Sequence, residues 1–335
     1  MNSRFRRTEK IAILLLILHI ICAFILIPVS DASPNYILRA DSAENCKIAY
    51  DGKNVYAIIE KQPLFGIYEE AYLYECSNNQ FLEKYELGNG SRISIQTING
   101  KLYYHVVNEE KPNNGLITSS AICEIDTKGW IKNKVMRETF ENNLDNRKRY
   151  YITPYAIIAK YYYGVEEALY IIEGNNVNLL SEGHDRYDIY DSYIAIHDDS
   201  DQCISSVIDL SDVNHNTYEF IGSNMDGFCK YQGLMKNGNF YYVDSEGIKH
   251  YDCRNGITRC IFKGHFYKYF VFFDKYLYFS NGRYLFEYNI STSSMISIPF
   301  IIDEDQRYVI VDDLIYLFPF SGIHNADEIV IKDMW

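Results

Sequence analysis

The chain has 335 residues, 47% of them hydrophobic and 16% aromatic, with 7 Pro, 19 Gly and a formal charge of −13. This composition excludes collagen, a disordered chain and a disulfide-dense miniprotein. The acid excess excludes a sequence-independent nucleic-acid binder, which must neutralise phosphates, and a mean hydropathy of −0.22 excludes a polytopic membrane protein.

Residues 1–10 carry Arg4, Arg6, Arg7 and Lys10 and read as a basic cytoplasmic N-terminus. The uncharged run 11–29, IAILLLILHIICAFILIPV, follows. As a helix it spans about 28 Å, close to the hydrocarbon thickness of a bilayer. Cations before the run and none soon after it direct the remainder outward. Two export readings stand. Ser30-Asp31-Ala32 offers a signal-peptide cleavage point after Ala32, whereas the length of the run favours an uncleaved, single-pass signal-anchor. In either case the expected location is extracytoplasmic, with the membrane as one partner through residues 11–29.

Residues 30–45 read as a linker and residues 46–335 as one repeat array. Short Tyr/Ile/Val/Phe runs alternate with Asn, Gly and Asp, the signature of strands and turns. Aligned on the strand after each turn, the segments begin DGKNVYAIIE, NGKLYYHVV, PYAIIAKYY, DSYIAIHDD, NGNFYYVDS, DKYLYFSNG and DDLIYLFPF. Their apolar anchors are Val55, Leu102, Ala156, Ile194, Phe240, Leu277 and Ile315. A period near 40 with four strands per unit predicts an all-β propeller. Seven four-stranded blades fit best, with six or eight as alternatives. The seventh unit stops after three strands, and the unassigned segment NYILRAD, 35–41, is expected to supply its fourth strand and close the ring.

The repeated form carried by NGKLYY, NGNFYY, ALYIIEGNNVNLL and YLFEYNISTSSM resembles the Tyr-rich bacterial propellers related to the lipoprotein-receptor type. The resemblance spans 46–335 and implies a binding module at a cell surface. The Tyr-Trp-Thr-Asp tetrapeptide of the receptor propellers is absent, so no receptor-like partner follows from it.

No catalytic signature is present: no G-x-S-x-G, no H-E-x-x-H, no P-loop and no dinucleotide-binding G-x-G-x-x-G. No cofactor and no metal site is expected. The acid clusters Asp198 to Asp201 and Asp303 to Asp305 could bind a cation, but the first lacks the Gly and the distal Glu of an EF-hand loop, and the favoured reading is a solvated loop. Asp126 to Trp130 reads as a hairpin turn. Of eight cysteines, Cys22 lies in the apolar run and the other seven cannot all pair internally. Cys253 and Cys260 flank a hairpin turn, where facing positions could bridge; the favoured reading is two strand thiols packed as small hydrophobes. The tyrosines read as cross-strand packing.

In a propeller, labelling the strands of a blade a to d, the b–c and d–a connections share one face and the a–b and c–d turns share the other. The longest connections run from Lys61 to Glu70, Asn108 to Ser119 and Thr139 to Arg149, all on the b–c face. They supply the candidate binding residues Leu64, Phe65, Ile67 and Tyr68, an apolar tip, and Arg147, Lys148 and Arg149, a basic cluster. The function expected is a non-enzymatic binding or scaffold module for a protein or glycan partner. The alternative is a propeller hydrolase or lyase acting on cell-surface glycans from acids in the central pocket.

Overall fold

The computed structural model describes residues 37–40, 42–61, 70–89, 92–110, 117–141, 146–163, 166–173, 176–184, 186–197, 204–219, 233–265 and 269–335. Strand β1 (Ile37–Arg39) precedes the blades. Blade one is β2 (Ile48–Tyr50), β3 (Val55–Lys61), β4 (Glu70–Ser77) and β5 (Gln80–Asn89). Blade two is β6 (Arg92–Ile98), β7 (Lys101–Glu110), β8 (Ile117–Asp126) and β9 (Ile131–Glu141). Blade three is β10 (Asn146–Ile152), β11 (Ile157–Tyr163), β12 (Glu166–Glu173) and β13 (Asn176–His184). Blade four is β14 (Arg186–Ile189), β15 (Tyr193–His197), β16 (Ile204–Asp209) and β17 (Thr217–Glu219). Blade five is β18 (Gly233–Lys236), β19 (Asn239–Asp244), β20 (Gly247–Asp252) and β21 (Ile257–Lys263). Blade six is β22 (Val271–Phe273), β23 (Tyr276–Ser280), β24 (Leu285–Asn289) and β25 (Ser294–Ile298). Blade seven is β26 (Gln306–Val311), β27 (Leu314–Pro319) and β28 (Val330–Asp333).

Each sheet is an antiparallel meander, and the whole is a seven-bladed β-propeller. The period near 40 and the count of seven agree with the repeat reading. Burial explains why the anchors stood out. A b strand is covered on both faces by neighbouring blades, so β15 is buried throughout and β19, β23 and β27 nearly so. Such strands read as continuous apolar runs. The outermost strands are exposed instead, as β21 and β25 show.

The turns follow side-chain chemistry. Asn99-Gly100 and Asn237-Gly238 both hold positive φ, 52° and 73°, then 48° and 74°. That is the conformation a tight hairpin of right-twisted strands needs, and Asn and Gly adopt it at least cost. Gly247 (φ +145°) opens β20, and a methyl group there would fall on the Phe262 carbonyl oxygen. Gly247→Ala should therefore cost about 1–3 kcal/mol and lower the thermal midpoint by several degrees. An unchanged melt would show that the blade relaxes around it.

Tyrosines build cross-strand pairs with glutamates. Tyr74 Oη donates to Glu83 (2.9 Å), Tyr103 Oη to Glu124 (3.1 Å) and Tyr278 Oη to Glu287 (3.0 Å). All three are directly opposed pairs in the ladders. The packing role assigned to tyrosine is what these blades use.

The ring does not close as the repeat pattern suggested. Of segment 35–41, the described strand Ile37–Arg39 does not add to blade seven. It pairs antiparallel with β22 of blade six, Ile37 opposite Phe273 and Arg39 opposite Val271. The physical reason is that every a strand leaves one backbone edge facing the axis, and β1 occupies such an inner edge. Blade seven, three-stranded among the described residues, meets blade one through its b–c connection. Glu60 N–H donates to Ile323 O (2.8 Å), and His324 Nδ1 donates to Glu60 O (3.0 Å). Phe81 of blade one packs edge-on against Tyr316 of blade seven.

Of the five described cysteines, Cys76, Cys123, Cys253 and Cys260 are free thiols, and the Cys46 thiol donates to Asp191. Among the described residues no helix is long and apolar enough to cross a membrane. The run 11–29 lies outside them.

Candidate functional site

The axis of the ring is filled by the chain itself. After β1, Ser42 bridges to Tyr190 of blade four, residues Ala43–Asn45 form a 3-10 turn, and Cys46 O accepts from Ile95 N–H of blade two (2.8 Å). Ile37, Leu38, Ala40 and Ala43 are all buried. Small and aliphatic side chains pass down the channel without a polar group to satisfy, which is why this segment fits there.

One charged group travels with them. Arg39, 2% exposed, donates from Nε to Asp191 Oδ2 (3.3 Å) and from Nη1 to Ile48 O (2.6 Å). Asp191, fully buried at the a–b turn of blade four, also accepts from Cys46 Sγ (3.0 Å) and Gln96 Nε2 (3.1 Å). The network ties β22 of blade six, through β1, to blades one, two and four. A buried carboxylate needs such compensation, because taking it out of water unpaired is costly. The arrangement holds; it does not offer a group to a substrate.

Two further polar pairs involve histidine. His105 Nε2 lies 2.7 Å from Ser120 Oγ, but both are buried inside blade two, and burial lowers the His105 pKa to about 3. His197 Nε2 lies 3.0 Å from Asp188 Oδ2, with Arg186 on the same carboxylate. Burial raises the Asp188 pKa, but hydrogen bonds from His197 and Arg186 outweigh it, and the net shift is down. Among the described residues no three side chains converge as a metal site. Asp303 to Asp305 form a loop whose carbonyls accept from Gln306 N–H and Phe320 N–H. Asp198 to Asp201 lie outside the described residues. Asp126 caps its own hairpin, taking Lys128 N–H at 3.0 Å.

The long-connection sector lies on consecutive blades one to three. Its first connection, 62–69, contains Leu64, Phe65, Ile67 and Tyr68 and lies outside the described residues. The strands β7, β8 and β9 run 10 or 11 residues and take up much of what read as loop. The second connection shrinks to 111–116 and the third to 142–145.

Arg147, Lys148 and Arg149 are therefore corrected from loop to strand. They lie in β10, opposite Tyr162, Tyr161 and Lys160 of β11. Lys148 Nζ stands 4.5 Å from the Tyr161 ring centre, and the Arg149 guanidinium 5.6 Å from that of Tyr162. Tyr161 packs in turn on Tyr170 at 4.7 Å. A charge run can continue a strand when its long side chains lie along aromatic faces. Beside it Lys160 is buried, donating to Tyr187 O (2.7 Å) and paired with Glu167 (2.7 Å).

The axial segment escaped the sequence reading. The only signal for it was Arg39, a charge inside an apolar strand that required a buried acid elsewhere.

No family model matches the chain, and no curated protein matches it. Among solved structures it is similar to Saccharomyces cerevisiae Sqt1, at 9% identity over 89% of this chain and 86% of that one, TM-score 0.41. It is similar to the Pseudomonas aeruginosa periplasmic gluconolactonase PpgL, at 11% identity over 79% and 88%, TM-score 0.40. It is also similar to the Penicillium chrysogenum alpha-L-arabinanase complexed with arabinobiose, at 10% identity over 90% and 98%, TM-score 0.39.

Proposed function

We propose that the protein is a tethered, non-enzymatic binding module outside the cytoplasm, and that its partner docks on the b–c face over blades one to three. The observation that carries this reading is the occupied axis. A propeller that processes a small glycan needs an open central pocket with free acids. Here the axial carboxylate Asp191 is fully buried and committed to Arg39, Cys46 and Gln96.

Strand direction supports the choice of face. The strand β22 leads into the a–b turn at Asp274 and Lys275, and β1 runs antiparallel to it with Ile37 opposite Phe273. The chain thus enters the ring from the a–b face. In this reading the apolar set Leu64, Phe65, Ile67 and Tyr68 and the cationic set Arg147, Lys148 and Arg149 make the contact. This suits a protein or glycan contact with an acidic component.

The test is site-specific photocrosslinking on intact, wall-stripped cells. Probes at Phe65 and Lys148 should trap the same species. Probes at Lys53 and Asp274, in a–b turns, should not. Trapping from the a–b positions alone would reverse the assignment. Protease added to the same cells should remove a C-terminal tag, and full protection would reject export.

A further inference from the structure

Among the described residues, blade seven has an open edge at β28. Six sheets have at least four strands, and blade seven has β26, β27 and β28 among the described residues. In the complete blade six the third strand β24 is buried or half-buried while the fourth is exposed. In blade seven the third strand takes the exposed place. Val330 is 40% exposed, and Lys332 and Asp333 are exposed as well.

The register says which groups the edge offers. Met334 N–H donates to Asp313 O (2.9 Å), continuing the pairing of Asp333 with Leu314. Alternation in an antiparallel ladder then turns the backbone groups of Lys332 and Val330 toward β27 and those of Ile331 and Asp333 outward. No described residue takes up those outward groups. Beside them Lys332 Nζ lies 5.4 Å from the Phe300 ring centre, and no described carboxylate pairs with it. Ile301 (68% exposed), in the connection from blade six, and Phe320 (60%), after β27, add apolar surface, with Arg307 4.0 Å from the Phe320 ring centre.

We propose that β28 accepts a fourth strand from a partner protein: an extended, apolar segment with a carboxylate opposite Lys332. Main-chain bonds to Ile331 and Asp333 supply the attachment, and the side chains opposite Val330 and Lys332 supply the choice. A second copy of this chain is a poor occupant. Self-pairing that uses both outward residues sets Ile331 against Asp333 of the other copy, and so sets Lys332 against Lys332, like charges directly opposed. The proposal is independent of the b–c face reading.

Trp335, 70% exposed at the end of this strand, is a built-in reporter once Trp130→Phe removes the other tryptophan. The full chain in mild detergent is titrated with the blocked peptide Thr-Thr-Glu-Val-Val-Thr and with its Lys-for-Glu counterpart. The Glu peptide should give a saturable change in Trp335 emission, with the Lys peptide about tenfold weaker. Asp333→Pro removes an outward N–H and no bond to β27, so melting should stay unchanged while peptide binding falls about tenfold. No saturable response, equal response to both peptides, or undiminished binding by a folded Asp333→Pro chain would overturn the proposal. A dimer in sedimentation that Asp333→Pro dissolves would also overturn it, in favour of a second copy.

Discussion

Asp191→Ala is expected to be among the most damaging single substitutions in the ring. The change leaves the Arg39 guanidinium, 2% exposed, without its counter-charge in the axis. It also strands the Cys46 thiol and the Gln96 amide that point at the same carboxylate. Removing one partner of a buried ion pair costs about 3–5 kcal/mol, against roughly 5–15 kcal/mol for a whole domain. Equilibrium urea unfolding at pH 7 should show the loss directly, as a lower midpoint. Arg39→Met should cost a comparable amount, because it leaves Asp191 charged and buried. The two changes should not add. Asp191→Leu with Arg39→Met removes both charges together and should recover most of either single loss, a coupling of about 2–3 kcal/mol. Two single changes that each cost under about 1 kcal/mol, or that simply add, would mean that water reaches the axis and the network does not lock it.

That lock also marks the limit of what the sequence displays. The blades were legible because a b strand is covered on both sides, so Tyr-Ile-Ala-Ile at 193–196 or Phe-Tyr-Tyr-Val at 240–243 stands out as an unbroken apolar run. The Asn-Gly turns at 99–100 and 237–238 punctuated the runs with residues that tolerate positive φ. The place of Ile37–Arg39 was not legible. An inner edge at β22 and the outer edge of blade seven offer the same unpaired backbone, and a three-residue strand suits both. The difference lies in Arg39 meeting Asp191, a contact across 152 residues that no local pattern announces. The basic cluster misled for a related reason. Arg147-Lys148-Arg149 reads as the end of a long connection, yet Tyr161 and Tyr162 on the adjoining strand give the Lys148 and Arg149 side chains rings to lie on.

Acid should weaken the fold well before the carboxylates titrate, and His105 should be a principal cause. It is 6% exposed, bonded through Nε2 to Ser120 Oγ at 2.7 Å and packed edge-on against Tyr150. Burial lowers its pKa from 6.5 to about 3. The unfolded chain therefore binds a proton as pH falls through about 6.5, while the folded chain refuses it until about pH 3. The contribution to stability is fully present above about pH 6.5 and is lost progressively down to about pH 3. Each pH unit in that window costs up to about 1.4 kcal/mol. His250, also lowered by burial, adds to the same trend. Glu83, held down first by its hydrogen bond from Lys61, acts only nearer the carboxylate range. Between pH 6.5 and 4.5 the wild-type chain should lose about 2–3 kcal/mol to His105 alone. His105→Gln keeps a partner for Ser120 but cannot take up a proton. Its urea midpoints at pH 7.5, 5.5 and 4.5 should fall by that much less, even if its stability at pH 7.5 is lower. Parallel pH profiles for the two chains would mean that His105 is protonated in the folded ring, with a counter-charge or water reaching it inside blade two.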